Sequence, residues 1–219
     1  MTRVVITQSN YFPWRGWYAL IRSVDQLVLY DSVQFTKRDW RNRNRIQIDG
    51  RITWLTVPVL TKGRFEQKIQ EVEVVDHSWV SSHSSHLREA SRTTPNSNQI
   101  VGEIIELLNE MKHVATLSEI NRQTLLWCAE KLEIRTQIRR DHEFTFAGSP
   151  SSKLAQISFE AGASTYVTGT AAKAYLDLDE FERRGIEVEW VDYSNLPVDR
   201  SLGPNTPELS ILNLSLIHI

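Results

Sequence analysis

Val4-Val5-Ile6-Thr7-Gln8-Ser9-Asn10-Tyr11-Phe12-Pro13-Trp14-Arg15-Gly16-Trp17-Tyr18-Ala19-Leu20-Ile21-Arg22-Ser23-Val24-Asp25-Gln26-Leu27-Val28-Leu29-Tyr30-Asp31 decides the fold class. Val4 to Ile6 is a short β-branched run, and the polar, Pro-containing loop after it ends the strand. Gly16 to Val24 suits a helix, and Gln26 to Tyr30 is a second strand that stops at Asp31. A strand, a helix and a strand in that order predict a parallel pair, and therefore an α/β sheet.

The rest of the chain extends this pattern. Arg45 to Ile48 and Ile52 to Val59 flank Asp49-Gly50, a strong hairpin-turn dipeptide. Val72, Val74 and Val75 read as a further short strand. Apolar residues recur at helical spacing from Ile100 to Met111 and from Leu117 to Leu132. Ile134 to Ile138 is a predicted strand, Phe144 to Ser152 a loop, and Lys153 to Ala161 a helix closed by Gly162. Ser164 to Val167, Thr170 to Leu178 and Ile186 to Val191 then alternate strand, helix, strand. The expectation is one α/β domain over residues 1–214: a Rossmann-like, mostly parallel sheet with flanking helices and a β-hairpin insertion. Ser215 to Ile219 stops mid-pattern and is expected to be a truncated or artefactual end.

Composition narrows the function classes. The chain has 219 residues, 41% hydrophobic and 24% charged, which suits a packed domain rather than a disordered one. A net charge of −2 offers no global attraction to nucleic acid or to an anionic bilayer. The single cysteine, Cys128, excludes an internal disulfide. No signal-peptide pattern opens the chain and no apolar run reaches a bilayer-spanning length, so a cytoplasmic location is expected. Walker loops, Gly-x-Ser-x-Gly and Gly-x-Gly-x-x-Gly are absent, and no cofactor is expected.

Two segments concentrate candidate binding groups. Gln8 to Trp17 lies where the first strand hands over to the first helix, a place where open α/β sheets bind ligands. Gln8 and Asn10 carry amides that read donors and acceptors, while Tyr11 and Trp14 are either pocket walls or packing. Asp31 to Arg45 is the second segment. Lys37, Arg38, Arg41, Arg43, Arg45 and Arg51 face only Asp39 and Asp49, a local charge of about +4. An anionic small molecule is the natural partner, gripped by arginine forks with Lys37 as a point charge. Gln34, Asn42 and Asn44 join this set, and the Arg/Asn alternation suggests a strand edge entering a pocket. A solvated surface face is the plain alternative.

Thr170 and Lys173 sit in another small polar turn between a strand and a helix. Nucleotidyltransferases of the HIGH superfamily carry a similar turn, but their His-x-Gly-His would here read Trp14-Arg15-Gly16-Trp17, without either histidine. Asp31, just past a strand end, and His83, titrating near neutrality, are the candidates for moving a proton. His83 and His86 could share a helical face for a metal, but a third ligand is not evident and no metal site is expected.

Taken together, Gln8 to Gly16, Asp31 to Arg45, Trp54 to Lys62, Trp79 with His83, Tyr166 to Leu176 and Leu209 to Leu212 resemble the WbqC-like family of bacterial proteins. The family pattern has Pro where this chain has Ser9, and it continues past the Leu-Ser-Ile-Leu block. The resemblance implies a transferase of surface polysaccharide or amino-sugar modification, with aminoacyl transfer, such as glycyl, to a nucleotide-linked amino sugar as one form. The rival is a noncatalytic nucleic-acid-binding or nucleotide-binding protein in which Trp40 and Tyr11 stack bases, a reading that the overall charge disfavours. Oligomeric state is not legible.

Overall fold

The computed structural model describes residues 1–92, 97–192 and 209–213. In chain order its main elements are β1 (Arg3–Thr7), α1 (Arg15–Arg22), β2 (Gln26–Leu29), β3 (Arg43–Ile48), β4 (Arg51–Thr56), α2 (Ser78–Ser91), α3 (Asn98–Glu110), α4 (Leu117–Lys131), β5 (Gln137–Arg140), α5 (Pro150–Glu160), β6 (Thr165–Gly169), α6 (Asp179–Glu182) and β7 (Glu187–Val191). Packing gathers them into two compact units. Unit 1 comprises the described residues of Met1–Gln8, Gly16–Ser32 and Ala129–Pro197, and unit 2 those of Ser9–Arg15, Val33–Cys128 and Val198–Ile219.

Unit 1 is the parallel sheet. Its strand order is β5-β2-β1-β6-β7, and every pairing is parallel, with Val4 opposite Gln26 on one side of β1 and Tyr166 on the other. Val4, Val5 and Ile6 are all buried, as a central parallel strand covered on both faces requires. Helix α1 buries Trp17, Tyr18, Leu20 and Ile21. Counted within this unit, the strands run 3-2-1-4-5, so the winding reverses between β1 and β6. That reversal is the topological switch point where doubly wound sheets leave a crevice. Gln8 follows β1 and Thr170 follows β6, so connectivity puts both at the carboxyl ends flanking it.

Unit 2 is built from chain that leaves the sheet after β1 and after β2. Its hairpin β3–β4 turns on Asp49 (φ 47°) and Gly50 (φ 77°). Two consecutive positive φ values make the tight turn whose twist suits antiparallel strands. Burial alternates strictly along β3, with Asn44, Ile46 and Ile48 inside and Arg43, Arg45 and Gln47 on the other face.

Several expectations shift for local reasons. Val72 to Val75 forms no strand: Val74 and Glu73 make only isolated bridges, to Val59 and Thr116. Ile134 to Ile138 gives way to β5, because Glu133 at φ 52° and the Ile134 N–H to the Ala129 carbonyl still close the end of α4. In place of a helix over Thr170 to Leu178 there is a 3-10 turn, Thr170–Ala174. The chain then breaks, and the Asp177 carboxylate accepts from the Asp179 N–H ahead of α6. Helix α2 was not foreseen through its serines. Ser84 and Ser85 return their hydroxyls to the carbonyls of Val80 and Ser81, while Trp79, Val80, His83, Leu87 and Ala90 form its buried stripe. Residues 214–219 lie outside the described residues. No helix among the described residues is long and apolar enough to cross a membrane.

Candidate functional site

The loop Ser9–Arg15 is held from three directions within unit 2. Phe12 is fully buried and sits at φ 40°, a conformation that costs a bulky residue strain and persists only when its surroundings enforce it. Asn44 supplies part of that enforcement: its Nδ2 donates to the Phe12 carbonyl at 2.7 Å and to the Tyr11 carbonyl at 3.2 Å. Ser210 supplies more, its hydroxyl donating to the same Phe12 carbonyl at 2.8 Å. The neighbouring backbone completes the clasp, with the Ser210 N–H on the Arg45 carbonyl and the Ile211 N–H on the Pro13 carbonyl, each at 2.9 Å.

Behind the loop lies a buried polar cluster. The Tyr11 hydroxyl and His83 Nδ1 are 3.0 Å apart, and Trp79 packs edge-on to both rings. Burial, followed by the charge of His86, depresses the His83 pKa to about 3, against a smaller opposing effect of a bond to the Thr56 backbone. The ring is therefore neutral near pH 7. Its N–H serves Thr56, and Nδ1 accepts from Tyr11, whose own pKa burial and nearby Cys128 hold far up. His83 thus lies buried against Tyr11, 3% exposed. Among the described residues no group of three or more His, Cys, Asp or Glu could hold a metal.

In front of the loop is a cleft of about 170 Å³, lined by Asn10, Pro13, Trp14, Trp40 and Asn44. Arg41 donates a guanidinium hydrogen bond to Asn10 Oδ1 and lies 3.7 Å from Asp39. Trp40 and Trp54 stack with ring centroids 5.8 Å apart. The guanidinium of Arg43 lies 4.3 Å from the Trp54 ring centre, and that of Arg45 lies 5.1 Å from Trp40 and 5.5 Å from Trp54. Arg43 and Arg45 are therefore layered on the indoles of Trp40 and Trp54, while Lys37, Arg38 and Arg51 are exposed.

The other sequence-derived candidates are spread more widely. Lys37 lies over Phe65 at 5.0 Å and the Gln34 amide donates to the Phe65 carbonyl. Arg38, exposed and at φ 62°, gives its carbonyl to Arg43 at 2.5 Å. Asn42 is buried, with Nδ2 on the Val57 carbonyl. In unit 1, Asp31 is 4% exposed beside the end of β2, and the next residue, Ser32, donates its N–H to buried Asp141. Thr170 and Lys173 are exposed, with Lys173 over Trp190 at 5.4 Å. The structure brings Asn10, Trp14 and Asn44 to one cleft, with Arg41 and Arg43 supporting it, and separates Gln34 and Lys37 from its lining.

Three contributors escaped sequence reasoning as site residues. Trp54 and Ser210 appeared there only within matched blocks. Asn121, fully buried on α4, donates to Ser9 Oγ at 3.0 Å and to the Arg41 carbonyl at 2.9 Å, joining the two candidate segments. Its signal was available: it lies on the apolar stripe of Leu117, Ile120, Thr124 and Cys128, where an amide is out of place without a task.

The chain is 37% identical over 215 residues to the uncharacterized protein Rv1507c of Mycobacterium tuberculosis, covering 98% of this chain and 93% of that protein. No solved structure matches. The model of the WbqC-like protein family matches residues 8–218, which takes in the loop, the hairpin, the guanidinium–indole layer and the clasp, and the chain belongs to that family.

Proposed function

We propose that the protein is a transferase acting on an anionic, nucleotide-linked amino sugar in bacterial surface-polysaccharide modification, with an aminoacyl group such as glycyl as the group moved. The observation that carries this reading is the Arg43, Trp54, Trp40 and Arg45 layer beside the amide-bearing cleft. Guanidinium groups suit a diphosphate and indoles suit a base or the C–H face of a sugar, so one surface serves the parts of a nucleotide sugar. In unit 1, the strand-end positions of Gln8, Thr170 and Lys173 are those at which doubly wound sheets receive ligands.

Unit 1 holds Asp31 beside the end of β2, a carboxylate of the kind that takes up a proton in such a transfer. An amine attacking an acyl carbon forms a C–N bond, the bond to the leaving group breaks, and the amine proton needs a base. His83 has both ring nitrogens committed and a pKa of about 3, so it serves by placing Tyr11. Calorimetry with uridine diphosphate N-acetylglucosamine tests the proposal. Wild-type protein binds it, and Arg43→Glu weakens binding at least about tenfold, a loss of roughly 1.4 kcal/mol. Equal binding by the variant removes the assignment, and tight, steeply salt-dependent binding of single-stranded nucleic acid instead favours the noncatalytic alternative.

A further inference from the structure

The described residues that line the cleft are neutral, although the chain around them is cationic. Among the described residues its lining contains no guanidinium: Arg43 and Arg45 lie over indoles and Arg41 is turned to Asn10. That last contact fixes the chemistry of the cleft. A guanidinium only donates, so the Asn10 atom facing Arg41 is its oxygen and the amino group is the end left to a ligand. The second amide is spent: Asn44 donates twice to main-chain carbonyls and accepts from the Arg45 N–H at 2.8 Å. Of the two lining amides, each oxygen already accepts one bond, and the donor that no main-chain carbonyl takes is Asn10 Nδ2.

The lock is itself held. Asp39 sits 3.7 Å from the Arg41 guanidinium, and fully buried Asn121 pins the Arg41 carbonyl and Ser9, the residue before Asn10. A cleft of about 170 Å³ is smaller than the roughly 300 Å³ at which drug-sized pockets begin, so it takes one ring and not a whole nucleotide sugar. Pro13, Trp14 and Trp40 provide apolar and planar walls for such a ring.

Resting on the transferase reading above, we infer that this cleft seats a neutral sugar ring bearing an acylamino group, with the ring's C–H face against the indoles and the acyl carbonyl accepting from Asn10 Nδ2. A free ammonium only donates and so cannot accept from Asn10 Nδ2. The sugar that fits has one amine already acylated, so an N-acylation precedes this protein's step, and the position that reacts is another.

Saturation-transfer NMR with the methyl glycosides of N-acetylglucosamine, glucosamine and glucose tests this directly. The N-acetyl ring binds at least tenfold more tightly than the other two. Asn10→Asp keeps a partner for Arg41 but replaces the donor with a carboxylate, and it abolishes that preference. Asn10→Ser, which lacks the reach, does the same and serves where the carboxylate lowers the melting temperature. Equal binding of the three glycosides, or a preference untouched by both variants, overturns the inference. Binding of uridine diphosphate N-acetylglucosamine without measurable binding of any glycoside overturns the inference and leaves the transferase reading standing. A selective, Asn10-dependent glycoside site with no gain from the nucleotide does the reverse.

Discussion

The side chain of Asn44 holds the backbone of Phe12 in a left-handed turn: the amide donates at 2.7 Å to the carbonyl of a fully buried aromatic residue at φ 40°. The position of the cleft follows from this pair, because Pro13 and Trp14 come next in the chain. Asn44→Ala removes two bonds to buried carbonyls and one accepted from Arg45. The expected cost is about 2–3 kcal/mol in denaturant unfolding, with a loss of ligand binding. A change below about 0.5 kcal/mol contradicts the role, since that is the scale of a neutral surface substitution.

Ser210 shares the Phe12 carbonyl with Asn44, so the two are energetically coupled. Ser210→Ala alone is expected to cost about 1 kcal/mol. The double variant departs from additivity by at least about 0.5 kcal/mol, as groups in one network do. Additive behaviour in a double-mutant cycle would show that the carbonyl is not their common anchor.

His83 makes stability depend on pH with a definite sign. Its folded pKa of about 3 lies below the ordinary value of 6.5, so the unfolded chain takes up a proton more readily than the folded one. The contribution is fully present above the unfolded value and is lost as pH falls from 6.5 towards 3. The loss is on the order of a few kcal/mol. In urea melts across that window His83→Gln flattens the decline, and an unchanged slope contradicts the buried, neutral imidazole.

Much of this was legible in the residues. Val4 to Ile6, Gln26 to Leu29 and Thr165 to Val167 are β-branched or apolar runs between loops, and such runs report parallel strands plainly. Asp49-Gly50 named its turn, and the Arg/Asn alternation after Trp40, read as a strand edge entering a pocket, lies partly on strand β3, where burial alternates. What stayed hidden was which face does what. The alternation does not say that Asn42 and Asn44 turn inward onto main-chain carbonyls, nor that Arg43 and Arg45 meet Trp54, because those partners lie across the hairpin or in a distant segment. Helix α2 hid because serines favour caps and turns unless their hydroxyls return to the helix, which only the folded helix reveals.

Gly50 offers a control free of packing effects. It sits at φ 77° with nothing within 4 Å of where a Cβ would lie. Gly50→Ala therefore costs about 1 kcal/mol from backbone conformation alone and leaves ligand binding at the wild-type level. A large loss of binding would tie the hairpin turn to the site, which this account does not.

The most direct test of the central claim, that the Asn10 to Trp54 surface of unit 2 is the substrate site, uses the tryptophans as reporters. The chain has seven, whose indole N–H signals are resolvable by NMR in labelled protein. Titration with uridine diphosphate N-acetylglucosamine is expected to shift Trp14, Trp40 and Trp54 in a saturable way while leaving Trp79 and Trp127 in place. Saturable binding that leaves the first three signals unmoved would contradict it.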